Sequence, residues 1–540
     1  MRTLFKNKLL IILVLAIFLR LFLLSRVPPS LNWDEVSMGY TAYSVAETAR
    51  DEWGDLMPIF FRSYGEWKSA VYIYLLVPFV KIFGLNAWVV RFPSALAGII
   101  SVYLVYLLGR KLYSERIGLW SALFMAITPW SFVLSRPAFE ANVSLTLMLA
   151  GIYLFIRSLQ SNNYFLIAGS AIALGLAPHT YNSAKVIIPF LVLYLVWVTK
   201  FYKNLKKTFV LFGILFIFAL PILTNFISGK SQFRYTQVGI TTDLEALDTF
   251  VSSRVSVPGP TLIGKLIFNK YSYTLYGSIN NWFAYLDPSF LIINGGEHNQ
   301  HHVPYHGVLY LSEFILILVG ISSLIKRRST KHSPLYLPLI IIAVGIIPAA
   351  LTRGNGHVLR TILTIPGWAI LAGLGMDYLQ QTKTSFRNYV SWLLIIETTL
   401  FIFAYFIWYP KAYSRDWQYG YKEMVQYVSE HESEYDHIVI TKWYGEPQLF
   451  FAYYNKWDPV WFQQENKQNL RYESEGRPWL DQLPEYGIGK YTFKYINWQE
   501  DQNLTNTLVV GKPDDFYSDT KVLKQVNLLD GSPAFLIVAR

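Results

Sequence analysis

The 540-residue sequence contains no cysteine. That excludes disulfides, thiolate metal sites and a cysteine nucleophile in any compartment. Charge is also scarce: Asp, Glu, Lys and Arg make up 15% of the chain, against roughly 25% in a typical soluble domain. No glycine-rich phosphate loop and no convincing 20–50-residue repeat is found. The first apolar segment, Leu9–Leu24, follows Arg2, Lys6 and Lys8, but no small-residue cleavage site comes after it. It reads as a retained span rather than a leader.

What the sequence does have is apolar residues (53%) and aromatic residues (17%). They gather into long runs, for which a bilayer is the natural solvent. Spans are predicted near 9–26, 87–109, 117–134, 140–158, 163–178, 184–200, 208–227, 307–325, 335–351, 359–377 and 388–409. One set of connections holds 17 Lys and Arg, among them Arg110, Lys111, Lys200, Lys203, Lys206 and Lys207. The short loops of the other set hold four: Arg136, Lys185, Arg353 and Arg360. Positive charge marks the cytoplasmic side. The expectation is therefore a multi-pass protein of the plasma membrane with a cytoplasmic N-terminus. Loops 27–86 and 228–306 and the tail 410–540 would lie outside.

The net charge of +11 divides unevenly. Residues 410–540 carry 14 basic and 19 acidic side chains, hence −5, which leaves +16 for the rest. A basic excess of this kind reports topology and lipid headgroups, and no basic stripe calls for nucleic acid. In the tail, Gln418–His431 reads as an amphipathic helix, and 437–441, 508–511 and 534–538 read as strands. A membrane domain (1–409) and an extracytoplasmic α/β domain (410–540) are predicted.

Polar chemistry gathers on the outer side. Asn32-Trp33-Asp34-Glu35 follows the first span, with Pro58 and Gly65-Glu66-Trp67-Lys68 further along the same loop. Taken alone, two acids here can simply open a helix, where they complement its dipole. Arg136 and Glu140, four apart at a span mouth, suit either an interfacial ion pair or a site. His179 and Tyr181 lie in one outer connection, and His357 and Arg360 in another. Outer arginines suit phosphate through forked hydrogen bonds, or a lipid headgroup equally well. Glu297, His298, His301, His302 and His306 invite a metal, yet Gly295-Gly296 and Pro304 argue for a loop. Substrate contact and local structure stay open there beside a divalent cation.

The first outer loop resembles that of the GT-C glycosyltransferases, in the branch of the protein O-mannosyltransferases and the aminoarabinose transferases of lipid A. Asp34-Glu35, Pro58 and Gly65-Glu66-Trp67-Lys68 match that pattern, with Ser69-Ala70 in place of two prolines. The match continues through Gly84, Arg91 and Pro93, and Arg136 to Glu140 resembles the branch's Arg-x-x-x-Asp/Glu element. His357-Val-Leu-Arg360 is similar to its His-x-x-Arg-Tyr element, with Thr361 for Tyr. The resemblance implies a GT-C fold of about eleven or more membrane helices, with juxtamembrane helices in the first outer loop. It implies inverting transfer of a hexosyl or pentosyl unit from a polyprenyl-phosphate donor to a hydroxyl acceptor. Asp34 would be the base, with Glu35 and Glu140 orienting or tuning. Lys68, Arg136 and Arg360 would hold the donor phosphate, and Glu66, His179, Tyr181, His302 and His357 would contact substrate. No metal ligand is assigned and no cofactor is required. The rival readings are a flippase or transporter of a lipid-linked sugar, and an oligosaccharide ligase or oligosaccharyltransferase.

Overall fold

The computed structural model describes residues 2–63, 67–227, 237–256, 261–327, 334–354, 356–382, 385–477 and 479–540. By internal packing the chain forms two compact units. One comprises Met1–Phe22, Ser94–Ser135 and Phe139–Ile402; the other comprises Leu23–Pro93, Arg136–Ala138 and Phe403–Arg540.

Among the described residues, five helices are long and apolar enough to cross a membrane: Ala87–Leu112, Glu140–Ser158, Leu205–Ile227, Val358–Gln381 and Ser385–Ala412. Ala70–Phe83, Tyr164–His179, Asn182–Val198 and Leu337–Ala350 are apolar but shorter. The apolar run 117–134 is split, because Pro129 starts a new short helix, Pro129–Leu134, after Glu115–Ile127 ends.

The first unit is a helical bundle. Its central helix, Ile365–Gln381, packs against Leu311–Lys326 and Glu115–Ile127. Glycine sets the closeness of the first contact. A Cβ on Gly320 would lie 2.0 Å from the Leu371 carbonyl, and one on Gly375 would lie 1.9 Å from that of Leu316. Small residues let membrane helices meet backbone to backbone. Arg20, fully buried, donates to the carbonyls of Met125 and Ala126 and to Ser131 Oγ at 3.0–3.1 Å. By contrast, only 11% of the apolar window of Leu205–Ile227 is buried, which leaves a face suited to lipid.

The second unit holds all the strands described. Strands β1 (Phe60–Arg62) and β2 (Trp67–Ser69) pair antiparallel beside the helix Ala70–Phe83. The tail carries β3 (His437–Thr441), β4 (Glu485–Ile488), β5 (Tyr491–Lys494), β6 (Thr507–Gly511), β7 (Lys524–Asn527) and β8 (Pro533–Ala539). They form one mixed sheet in the order β4-β5-β3-β6-β8-β7, with β3 parallel to both of its neighbours. Val439, Val509, Val538 and Trp498 close one core. The predicted tail helix runs from Tyr421 to His431, starting later than Gln418 because Gly420 takes up a left-handed conformation at its N-cap.

Helix Trp33–Thr48 lies against two tail helices, Pro447–Asn455 and Pro459–Asn466. A Cβ on Gly39 would fall 2.8 Å from the Tyr453 ring, so glycine permits that approach. Gln463 Nε2 lies 3.0–3.1 Å from Ser44 Oγ, Thr48 Oγ1 and the Asp51 carbonyl.

Candidate active site

Asn32 begins the construction. Its side chain accepts from the Glu35 amide at 2.9 Å, and Glu35 accepts from the Asn32 amide at 3.2 Å. This capping box starts helix Trp33–Thr48. It places Asp34 in the first turn, half-buried, with its side chain 47% exposed. Lys68, at the middle of β2, reaches Asp34 Oδ1 at 2.9 Å while remaining only 12% exposed. The Trp33 indole donates to Asp34 Oδ2 at 3.2 Å. An acid and an ammonium that were 34 positions apart in sequence thus share one rim.

Glu35 points the other way. Its Oε1 accepts from Arg91 Nε at 2.8 Å and from the Ala138 amide at 2.9 Å. Its Oε2 accepts from an Arg91 terminal nitrogen at 2.9 Å, besides the Asn32 amide. Arg91 also donates to the carbonyls of Leu24, Pro28 and Ser30. All five guanidinium donors and all four carboxylate lone-pair sites are occupied. The expected role of Glu35 in orienting an acceptor therefore does not fit this geometry. Arg91, which the sequence marks only as part of the first-loop pattern, thus holds the carboxylate next to Asp34. The available signal was a lone cation at the start of an apolar span.

Arg136 is also fully buried. It donates to the Val27 carbonyl at 2.8 Å and lies over the rings of Phe406 and Tyr405, 4.9 and 5.6 Å from their centroids. A guanidinium enclosed in this way does not present the open fork that the phosphate role requires.

The first unit gathers a different set. The rings of His298, His301 and His357 lie 4.8–5.3 Å apart, centroid to centroid. His302, 5% exposed, packs its Nδ1 3.1 Å from the His298 carbonyl. Burial pushes the pKa of His298, His302 and His357 below the usual imidazole range, and for His357 the neighbouring His301 and Arg360 add to this. The segment is a turn, as its glycines and proline indicated. Among the described residues, no group of three or more His, Asp or Glu has an arrangement that could hold a metal ion. Arg360 donates to Thr352 Oγ1 at 2.7 Å and is half-buried. Its own carbonyl accepts from Ser183, in the helix that follows Tyr181. His179 Nε2 is 2.7 Å from the Phe218 carbonyl, which fixes that nitrogen as a donor. Glu140 opens helix Glu140–Ser158 and is half-buried. Gly65 and Glu66 lie outside the described residues.

Residues 68–225 match the family model described as dolichyl-phosphate-mannose-protein mannosyltransferase. Across 99% of its length the chain superposes on ArnT from Cupriavidus metallidurans, solved bound to undecaprenyl phosphate, covering 97% of that protein at 11% identity and a TM-score of 0.51. It also resembles the oligosaccharyltransferase AglB from Archaeoglobus fulgidus, solved with an inhibitory peptide and a dolichol-phosphate. There the identity is 15% and the TM-score 0.50, with 84% of this chain and 63% of AglB covered. The chain thus spans under two thirds of AglB. No curated protein sequence matches the chain. The fold is of the GT-C glycosyltransferase type, and the expected resemblance is borne out at that level.

Proposed function

We propose that the protein is an inverting glycosyltransferase that takes a sugar from a polyprenyl-phosphate carrier and gives it to a hydroxyl acceptor. The observation that carries this reading is the Asp34–Lys68 pair at 2.9 Å. It puts a base and a phosphate-seeking cation at one accessible rim. ArnT was solved with undecaprenyl phosphate and AglB with a dolichol-phosphate, which supports this donor class.

In the proposed step the acceptor oxygen attacks the anomeric carbon while Asp34 takes its proton. The bond from that carbon to the phosphate oxygen breaks, and the electron pair leaves with the polyprenyl phosphate. Lys68 stabilises the charge that grows on the leaving phosphate. A donor phosphate competes with Asp34 for the ammonium, so donor binding would free the carboxylate to act as base. Glu35 and Arg91 hold the turn in place, and Arg136 braces Val27; both are positioning groups in this reading. Arg360 remains assigned to the donor phosphate, Glu140 to orienting the acceptor or tuning Asp34, and His179, Tyr181, His302, His357 and Glu66 to substrate contact. Catalysis on the outer face of the plasma membrane remains part of the proposal. No step is routed through a metal.

Single-turnover transfer with Asp34→Asn tests the reading. The expected result is a loss of at least ~100-fold in the chemical rate, with donor binding retained. Release of free polyprenyl phosphate distinguishes an enzyme from a flippase, which would move the donor with its sugar bond intact. Near-normal turnover in the Asn variant would remove Asp34 from the role of base.

A further inference from the structure

The second unit contains a cavity of about 640 Å³ that the proposed reaction does not use. Its wall begins at Ser25 and Arg26, where the first apolar segment ends, and includes Leu85–Ala87, where the next begins. The cavity therefore lies at the level where lipid headgroups meet those two segments. The opposite wall comes from the tail, around Tyr419–Gln426 and Tyr453–Lys456.

Arg26, Lys422 and Lys456 line it, all three exposed. Among the described residues none of the three forms an ion pair. The lining acid, Glu423, is engaged at 2.8 Å by Lys524. Gly420 gives the helix Tyr421–His431 no side-chain cap, so first-turn amides add partial positive charge on the same wall. Tyr419, Tyr453 and Tyr454 supply rings and hydroxyls beside these cations. This is a pocket with surplus positive charge and hydrogen-bonding groups, bordered by the ends of two apolar segments.

We propose that it binds the phosphate headgroup of an anionic membrane lipid, apart from any lipid carrier at Lys68. Phosphate takes the three cations, and the headgroup hydroxyls take the tyrosines and Gln426. Position favours a lipid over a soluble phosphate, because the cavity is bounded by the ends of two apolar segments. Ser30, on the same wall, also offers its carbonyl to Arg91, so an occupied pocket would steady the chain that leads to Asp34.

Native mass spectrometry of the full chain, released from nanodiscs containing both phosphatidylglycerol and phosphatidylcholine, tests this without reference to activity. The wild type should retain phosphatidylglycerol in preference. In the Arg26→Gln/Lys422→Gln/Lys456→Gln chain that retention should fall by at least ~10-fold, since each cation near an anionic headgroup contributes measurably. The charge-conserving Arg26→Lys/Lys422→Arg/Lys456→Arg chain should keep it, which separates lost charge from lost folding. Equal retention by the wild type and the glutamine chain would overturn the site. Displacement of the lipid by an equal concentration of soluble glycerol phosphate would overturn the lipid assignment in favour of a free phosphate.

Discussion

Glu35 and Arg91 form a two-pronged ion pair, 2.8 and 2.9 Å long, in which neither side chain is more than 1% exposed. Removing one partner leaves the other charged and buried, which typically costs about 3–5 kcal/mol. Glu35→Ala should therefore lower the unfolding temperature well below that of Asp34→Asn, whose half-exposed carboxylate carries less of the fold. Thermal unfolding of both variants in the same detergent checks this. Equal stability of Glu35→Ala and wild type would mean that the pair is not holding the turn.

Lys68 is expected to act on both binding and rate. Lys68→Ala should lower donor affinity and also the single-turnover rate at saturating donor, because its charge matters most as the phosphate departs. Lys68→Arg should recover part of each, since a forked guanidinium does not fill the place of a point charge. A binding titration with bare polyprenyl phosphate, run beside the rate measurement, separates the two effects. If both are unchanged in Lys68→Ala, the lysine is a headgroup anchor.

Glu52 gives a pH signature. Thr41 Oγ1 lies 2.8 Å from the Ser37 carbonyl and 2.7 Å from Glu52 Oε2. One hydroxyl proton cannot serve both, and a protonated Glu52 solves this by donating to Thr41. Burial, reinforced by the charge of Asp51, pushes Glu52 up to about 8. The native state then holds a proton that the unfolded chain has released. Stability should fall as pH rises from the ordinary carboxylate range toward 8, by up to ~1.4 kcal/mol per pH unit. Glu52→Gln, which still donates to Thr41, should flatten that slope. An unchanged slope in denaturant unfolding across pH 5–8 would show that Glu52 is ionised.

Orientation is open to cysteine labelling, because the chain has no cysteine of its own. Gln418 is a poor probe: it is 8% exposed and held on both ends of its amide by Trp33 and Tyr444. Asp519 and Lys206 are both exposed. A membrane-impermeant reagent on intact cells should label a cysteine at 519 and spare one at 206. The reverse pattern would turn the protein over.

The apolar helices and three tail strands were legible because their signals are local: long runs, and β-branched stretches such as His437–Thr441. Strands β4, β5 and β7 were not, since four residues with glycine or lysine among them carry little pattern. Asp34 and Lys68 could be picked out from the first-loop motif. The sequence did not reveal that Glu35 turns inward to Arg91, 56 positions away, or that Arg136 is enclosed by aromatic rings. Both depend on which side of a turn a side chain leaves, and that is decided by packing from distant segments. The histidine loop was ambiguous for a similar reason: spacing alone did not show that His357 joins His298 and His301.

The Trp33 amide donates to Gln418 Oε1 at 2.7 Å, across 385 positions of sequence. That bond has a consequence in time. As the chain is synthesised, the turn bearing Asp34 emerges early, whereas the side chain that receives its first amide emerges only after every apolar span has been made. The turn cannot reach its final hydrogen bonding before the tail arrives. A nascent chain halted before residue 418 thus carries Asp34 and Lys68 without the finished setting around them, and emergence of the tail, rather than insertion of the first spans, marks when this bond can form.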